Sequence, residues 1–96
     1  MVYRKGELSS GTIDREWPHQ VALSADYVQG RQYMILHRFC NGLSLCPRRQ
    51  SYRKDGQDFI VYCFAERSDA ELFSMHFDGE LMTAETRPPK VPKRST

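Results

Sequence analysis

Six consecutive residues, Phe59-Ile60-Val61-Tyr62-Cys63-Phe64, are all apolar or aromatic, and no other stretch of this 96-residue chain limits its fold as much. Successive side chains of a strand point to opposite sides of a sheet, so an unbroken run of β-branched and aromatic residues fits a strand covered on both faces. Such a strand belongs in the middle of a sheet. Just upstream, Lys54-Asp55-Gly56-Gln57 carries the signal of a tight hairpin turn. Just downstream, Ser68-Asp69-Ala70-Glu71 reads as a helix start, with Ser68 as cap and Glu71 completing a capping box.

The hairpin sets which side chains share a face. A two- or four-residue loop at Asp55-Gly56 pairs Arg53 with Asp58, Tyr52 with Phe59, Ser51 with Ile60, Gln50 with Val61 and Arg49 with Tyr62. Paired residues lie on one side. Tyr52, Phe59, Val61 and Cys63 therefore line one face, and Ile60, Tyr62 and Phe64 the other. A loop of odd length reverses the grouping on one strand.

The remaining elements follow from periodicity and punctuation. His19–Ser24 reads as a first strand after Pro18. Val28, Ile35, Phe39 and Leu43, with Leu36 and Cys40 beside them, mark the inner stripe of a helix that begins near Arg31 and stops at Asn41-Gly42. Cys46–Arg53 is a polar second strand. In the second helix Ala70, Phe73 and Phe77 face inward and Asp78-Gly79 ends it; Leu81-Met82-Thr83 form a last strand. Residues 1–18 read as an N-terminal arm without a periodic element, 19–84 as the domain, and 85–96 as a disordered, basic, proline-rich tail.

Strand, helix, strand, strand, helix, strand is the order of the ferredoxin-like split βαβ arrangement, an α+β fold. It predicts a four-stranded antiparallel sheet in the order 4-1-3-2, with two helices on one face. The apolar third strand suits the centre. The second, with Pro47, Arg48, Arg49 and Arg53, suits an edge that must not recruit another sheet.

Residues 57–80 resemble, in outline, the third strand and second helix of RNA-recognition-motif domains, an aromatic-rich strand followed by the Asp69-Ala70-Glu71 helix. The chain departs from that pattern where Asp58 and Ile60 stand at small-residue sites and Val61 replaces the second stacking aromatic, leaving Phe59 as the one counterpart. The first strand supplies no stacking aromatic. The whole chain also resembles short bacterial proteins with a ferredoxin-like plait, which implies a fold and no activity.

A net charge of +2 makes the whole molecule a poor polyelectrolyte binder, yet the positive charge is clumped. Arg48, Arg49, Arg53 and Lys54 fall within seven residues, and Arg87, Lys90, Lys93 and Arg94 lie in the last ten. The first group is a candidate anion or nucleic-acid contact, weighed against a solvated edge strand partly neutralised by Asp55 and Asp58. No apolar stretch approaches a membrane span, and the first twenty residues carry no signal-peptide core. Three cysteines point to free thiols in a reducing cytoplasm.

His37 and Cys40 stand three apart on the first helix with Cys46 beyond the turn, but the spacing matches no zinc motif. Cys46, beside two arginines, and Cys63 lack the neighbouring histidine that a nucleophilic cysteine needs. His19, His37 and His76 have no acidic partner placed by spacing. The sequence therefore assigns no catalytic residue, metal or cofactor. It does predict an apolar sheet face without a helix over it, with Trp17, Tyr52, Phe59, Val61 and Cys63 as the interface. Another subunit, the N-terminal arm carrying Trp17, or a ligand must cover that face. The expectation is a small, non-enzymatic cytoplasmic homodimer joined through it. The alternatives are a nucleic-acid-binding module using Arg48–Lys54 and a cofactor-free enzyme with a pocket between sheet and helices.

Overall fold

The computed structural model describes residues 9–87, in the order α1 (Ser10–Glu16), β1 (His19–Ser24), α2 (Gly30–Phe39), β2 (Gln50–Lys54), β3 (Gln57–Phe64), α3 (Arg67–Phe77) and β4 (Glu80–Met82). The four strands form one antiparallel sheet ordered β2-β3-β1-β4, so the apolar run of β3 is central and β2 lies at an edge. Asp55 and Gly56 both take positive φ, at 53° and 78°, and make the two-residue hairpin loop. Tyr52 pairs with Phe59 and Gln50 with Val61, the register that the even loop dictates.

Arg49 does not pair with Tyr62, because the ladder of β2 begins only at Gln50. Pro47 has no N–H to give, and the residues just before it attach to the same edge of β3 that β2 uses, where Leu45 bridges Phe64 and the Cys46 N–H donates to the Cys63 carbonyl at 2.8 Å. Pro47, Arg48 and Arg49 loop out between these two points of attachment.

Alternation along β3 sorts the interior into two layers. Tyr62 and Phe64, with Val21 and Leu23 from β1, pack against α2 and α3 through Leu36, Cys40, Ala70, Phe73 and Phe77. Val61 and Cys63 point the other way, with Ala22, Tyr52 and Met82. On α2 the inner stripe runs through Leu36 and Cys40, and Ile35 is 44 % exposed, contrary to the predicted stripe. Adjacent helical residues lie about 100° apart, and that turn places Ile35 on the solvent side of Leu36. On α3 the first turn starts at Arg67, ahead of Ser68, and no side chain of its own caps it. Ser44 fixes the chain just before it, taking the Glu66 N–H on its hydroxyl at 2.9 Å and the Ala65 N–H on its carbonyl at 3.1 Å.

The largest departure from the sequence reading is α1. The expected arm holds a helix whose start is capped by the Ser9 hydroxyl, which accepts the Thr12 N–H at 3.2 Å. Its seven residues bury a single apolar side chain deeply, Ile13, too few for a periodic pattern to show. Helices thus cover both faces of the sheet, two on one side and α1 on the other, in place of two on one face alone. The tail from Pro88 onward lies outside the described residues. Among the described residues, no helix is long and apolar enough to cross a membrane.

Candidate functional site

The face expected to be open is covered by α1. Ile13 drops into a cluster with Cys46, Tyr52, Val61 and Cys63, while Trp17 and Phe59 sit half-buried at its margin. Tyr52 and Phe59 stack with ring centres 4.9 Å apart. Of the covers the sequence allows, the chain's own N-terminal segment is the one seated there, so Tyr52, Val61 and Cys63 are enclosed within a single chain.

A polar knot ties this lid down. Asp14 Oδ1 accepts from Gln20 Nε2 at 3.0 Å, Gln50 Nε2 at 3.1 Å and Arg87 Nη1 at 2.8 Å, and Oδ2 accepts from Arg87 Nη2 at 3.1 Å. The same Arg87 Nη1 also donates to Gln20 Oε1 at 3.0 Å. Burial raises the Asp14 carboxyl, but the hydrogen bonds from Arg87, Gln20 and Gln50 and the guanidinium charge outweigh it and hold it below its ordinary value. Every polar atom named here has a partner, which is the mark of a structural lock.

The surroundings of the cysteines disfavour the thiolate that a nucleophile needs. Burial pushes Cys63 up to about 12 and Cys40 up to about 11, and it raises Cys46 as well despite the Arg48 amide and charge. The sheet also separates Cys46, on the α1 side, from Cys40 on the α2 side, so the His37–Cys40–Cys46 set does not converge. Among the described residues, no group of three or more His, Cys, Asp or Glu side chains is placed to hold a metal ion.

The basic stretch does not form a stripe either. Arg53 pairs with Asp58 at 2.8 Å and donates to the Gly56 carbonyl at 3.3 Å; Lys54 is exposed at the turn, and Arg48 is exposed in the excursion before β2. Arg49 behaves differently. Its guanidinium carbon lies 5.9 Å from the Tyr33 ring centre and 5.8 Å from that of Tyr62, so an exposed residue reaches a fully buried one.

Around Arg49 the second face gathers a group that sequence spacing did not single out. Tyr33 and His37, one turn apart on α2, have ring centres 4.2 Å apart, and His37 meets Tyr62 edge-on at 6.4 Å. Two buried polar atoms in this group, His37 Nε2 and Tyr62 Oη, have no hydrogen-bond partner among the described residues. Leaving such an atom unsatisfied costs about 1–3 kcal/mol, so each calls for a partner, whether ordered water or a ligand. Burial, with the Arg49 charge adding to it, lowers the His37 pKa, so the ring is neutral at pH 7; burial also pushes the Tyr62 hydroxyl up to about 12.

His37 and Tyr33 also line a shallow cleft of about 610 Å³, together with Met34, Cys40, Leu43 and Leu45. The end of α2 builds it. Gly42, at a φ of +94°, turns the chain so that Leu43 and Leu45 come back beside the helix. By its place on the helix-facing side of β3, Tyr62 reads from sequence as a core residue. Its hydroxyl was the available signal, since a tyrosine facing helices from a central strand needs a partner for it. Comparison of the chain with protein families, curated proteins and solved structures returned no match.

Proposed function

We propose that this chain is a small, non-enzymatic binding protein that holds its ligand in the shallow cleft formed by α2 and residues 41–45. The observation that carries the reading is the pair of buried, unpartnered atoms, His37 Nε2 and Tyr62 Oη, beside a cleft of ligand size. A cleft flanked by Met34, Leu43 and Leu45 supplies apolar area, and the polar atoms supply orientation. An enzyme would need a positioned base or nucleophile as well. Among the described residues no carboxylate hydrogen-bonds the His37 ring, and burial raises the pKa of all three thiols.

We read the architecture as a ferredoxin-like plait with an added N-terminal helix. The sheet order, which from the other edge is 4-1-3-2, and the run of elements from β1 to β4 support that reading.

The test is a fragment screen followed by amide and imidazole NMR. Ligands of the cleft should shift the resonances of Tyr33, His37, Leu43 and Leu45 and leave Ile13 and Met82 unmoved. A screen whose hits all map to the α1 side, or that yields none, would overturn the proposal.

A further inference from the structure

We infer that this chain forms a two-fold dimer through the outer side of α2 and α3, each α2 lying on the partner's α3. The sheet face expected to make such a contact is closed by α1, and most of the exposed large apolar side chains stand on the helices. Phe39 stacks on His76 with ring centres 4.5 Å apart, so the two helices touch along that line. Ile35 lies one turn before Phe39, and Leu72 one turn before His76, which sets both beside the stack. Met34 and Met75 stand next to them on the outward side. Ile35 and Leu72 are 44 and 49 % exposed, and Met34 and Met75 are 61 and 81 % exposed. Apolar side chains scattered singly over a surface need no explanation, but four of them flanking one aromatic stack form a patch of the kind that marks an interface.

Charge says what covers the patch. α2 carries Arg31 and Arg38 and no acidic residue, and neither guanidinium forms an ion pair among the described residues. α3 with its two cap residues carries Glu66, Asp69, Glu71 and Asp78 against Arg67. Asp69 accepts the Ser44 N–H at 2.9 Å and Glu71 lies 2.8 Å from Arg67, whereas Glu66 and Asp78 are exposed and have no ion pair among the described residues. A basic helix and an acidic helix thus lie side by side on one surface, each with apolar residues along its outer side.

The occupant that matches both helices at once is the same surface turned over, a second copy of this chain. A two-fold axis parallel to the helices places each α2 on the partner's α3, cation against anion and apolar against apolar. An axis at right angles to them would set α2 on α2, arginine against arginine, and like charges brought together in this way disfavour the contact. The dimer is independent of the ligand cleft, whose lining shares only Met34 and Arg38 with it.

Sedimentation equilibrium on the full chain, at concentrations up to about 100 µM, should show the dimer. Arg31→Glu with Arg38→Glu makes both helices acidic, and Glu66→Lys with Glu71→Lys makes both basic. Each double variant alone should sediment as a monomer, and an equal mixture of the two should restore a dimer with one chain of each kind. Met75→Ser, at a position open to solvent in the single chain, should weaken self-association about tenfold and leave the amide spectrum of β1 and β3 unchanged. That variant decides the matter where a charge-reversed chain fails to fold. A wild-type chain that is monomeric throughout, a dimer that survives either reversal, or a Met75→Ser chain that associates like wild type would overturn the proposal. Two folded variants that stay monomeric when mixed would overturn it as well.

Discussion

Asp14 and Arg87 lie 73 positions apart in the chain and meet in a two-pronged ion pair, Nη1 to Oδ1 at 2.8 Å and Nη2 to Oδ2 at 3.1 Å. The pair is largely shielded, with 22 % and 14 % of the two side chains exposed, and it joins α1 to the segment after β4. Arg87→Met would leave the carboxylate with two glutamine amides and no countercharge, at a cost of about 2–4 kcal/mol in chemical denaturation at pH 7. The Asp14 pKa is lower in the folded chain than its ordinary 3.8. Its contribution is therefore complete above that value and fades as the pH falls through the lower, folded one. Wild type should lose stability in that acid window more steeply than Arg87→Met, and identical acid profiles would show that the pair contributes nothing.

Ile13 is the hydrophobic counterpart of that lock. Ile13→Ala should cost about 2–4 kcal/mol if α1 stays docked. A change to glutamate at the same position should lift α1 and uncover Tyr52, Val61 and Met82. That variant should self-associate more strongly than wild type in sedimentation equilibrium, because an apolar sheet face of this kind does not stay in water. A variant that sediments like wild type and melts at the same temperature would mean that α1 covers nothing of consequence.

Two glycines should fail for different reasons. A β-carbon at Gly79 would run into the Val21 side chain, with Leu23 Cδ2 at 3.0 Å and the Ala22 carbonyl at 3.1 Å. Gly79→Ala should destabilise by about 1–3 kcal/mol through overpacking of β1. Gly42 has open space around it, but a φ of +94°. Gly42→Ala should cost about 1–2 kcal/mol from backbone strain alone. Its effect should concentrate on the cleft, visible as shifted amides of Leu43 and Leu45, whereas Gly79→Ala should disturb β1 and β4.

The thiols should be silent in the folded protein. Burial holds Cys40 at about 11 and Cys63 at about 12, well above the ordinary 9.0, so almost no thiolate exists at pH 8. Reaction with a chromogenic disulfide should be slow in buffer and complete in urea, at a rate that follows unfolding. Rapid labelling of any one cysteine in buffer would show local opening there.

Much of the framework was legible because local signals agreed with tertiary ones. Asp55-Gly56 fixed an even loop, which set the register of β2 on β3 and hence the two faces of the sheet. Three features escaped. α1 has one inward apolar residue, so no period betrays it. The approach to α3 is held by Ser44, more than twenty residues away, and local capping rules cannot see such a partner. The Tyr33–His37–Tyr62–Arg49 group is assembled from α2, β3 and the excursion before β2, none of which carries a motif alone. Arg49 was among the suspected anion contacts, but for a stripe with Arg48, Arg53 and Lys54 that the edge strand does not present.

The excursion of Pro47, Arg48 and Arg49 is anchored to β3 on both sides, through Leu45 and Cys46 before it and Gln50 after it. Residues can therefore be inserted or exchanged there without sliding β2 along β3 or turning any core side chain outward. That stretch of surface is free to diverge while the sheet beneath it stays fixed, so it can be rewritten at a cost the fold does not feel.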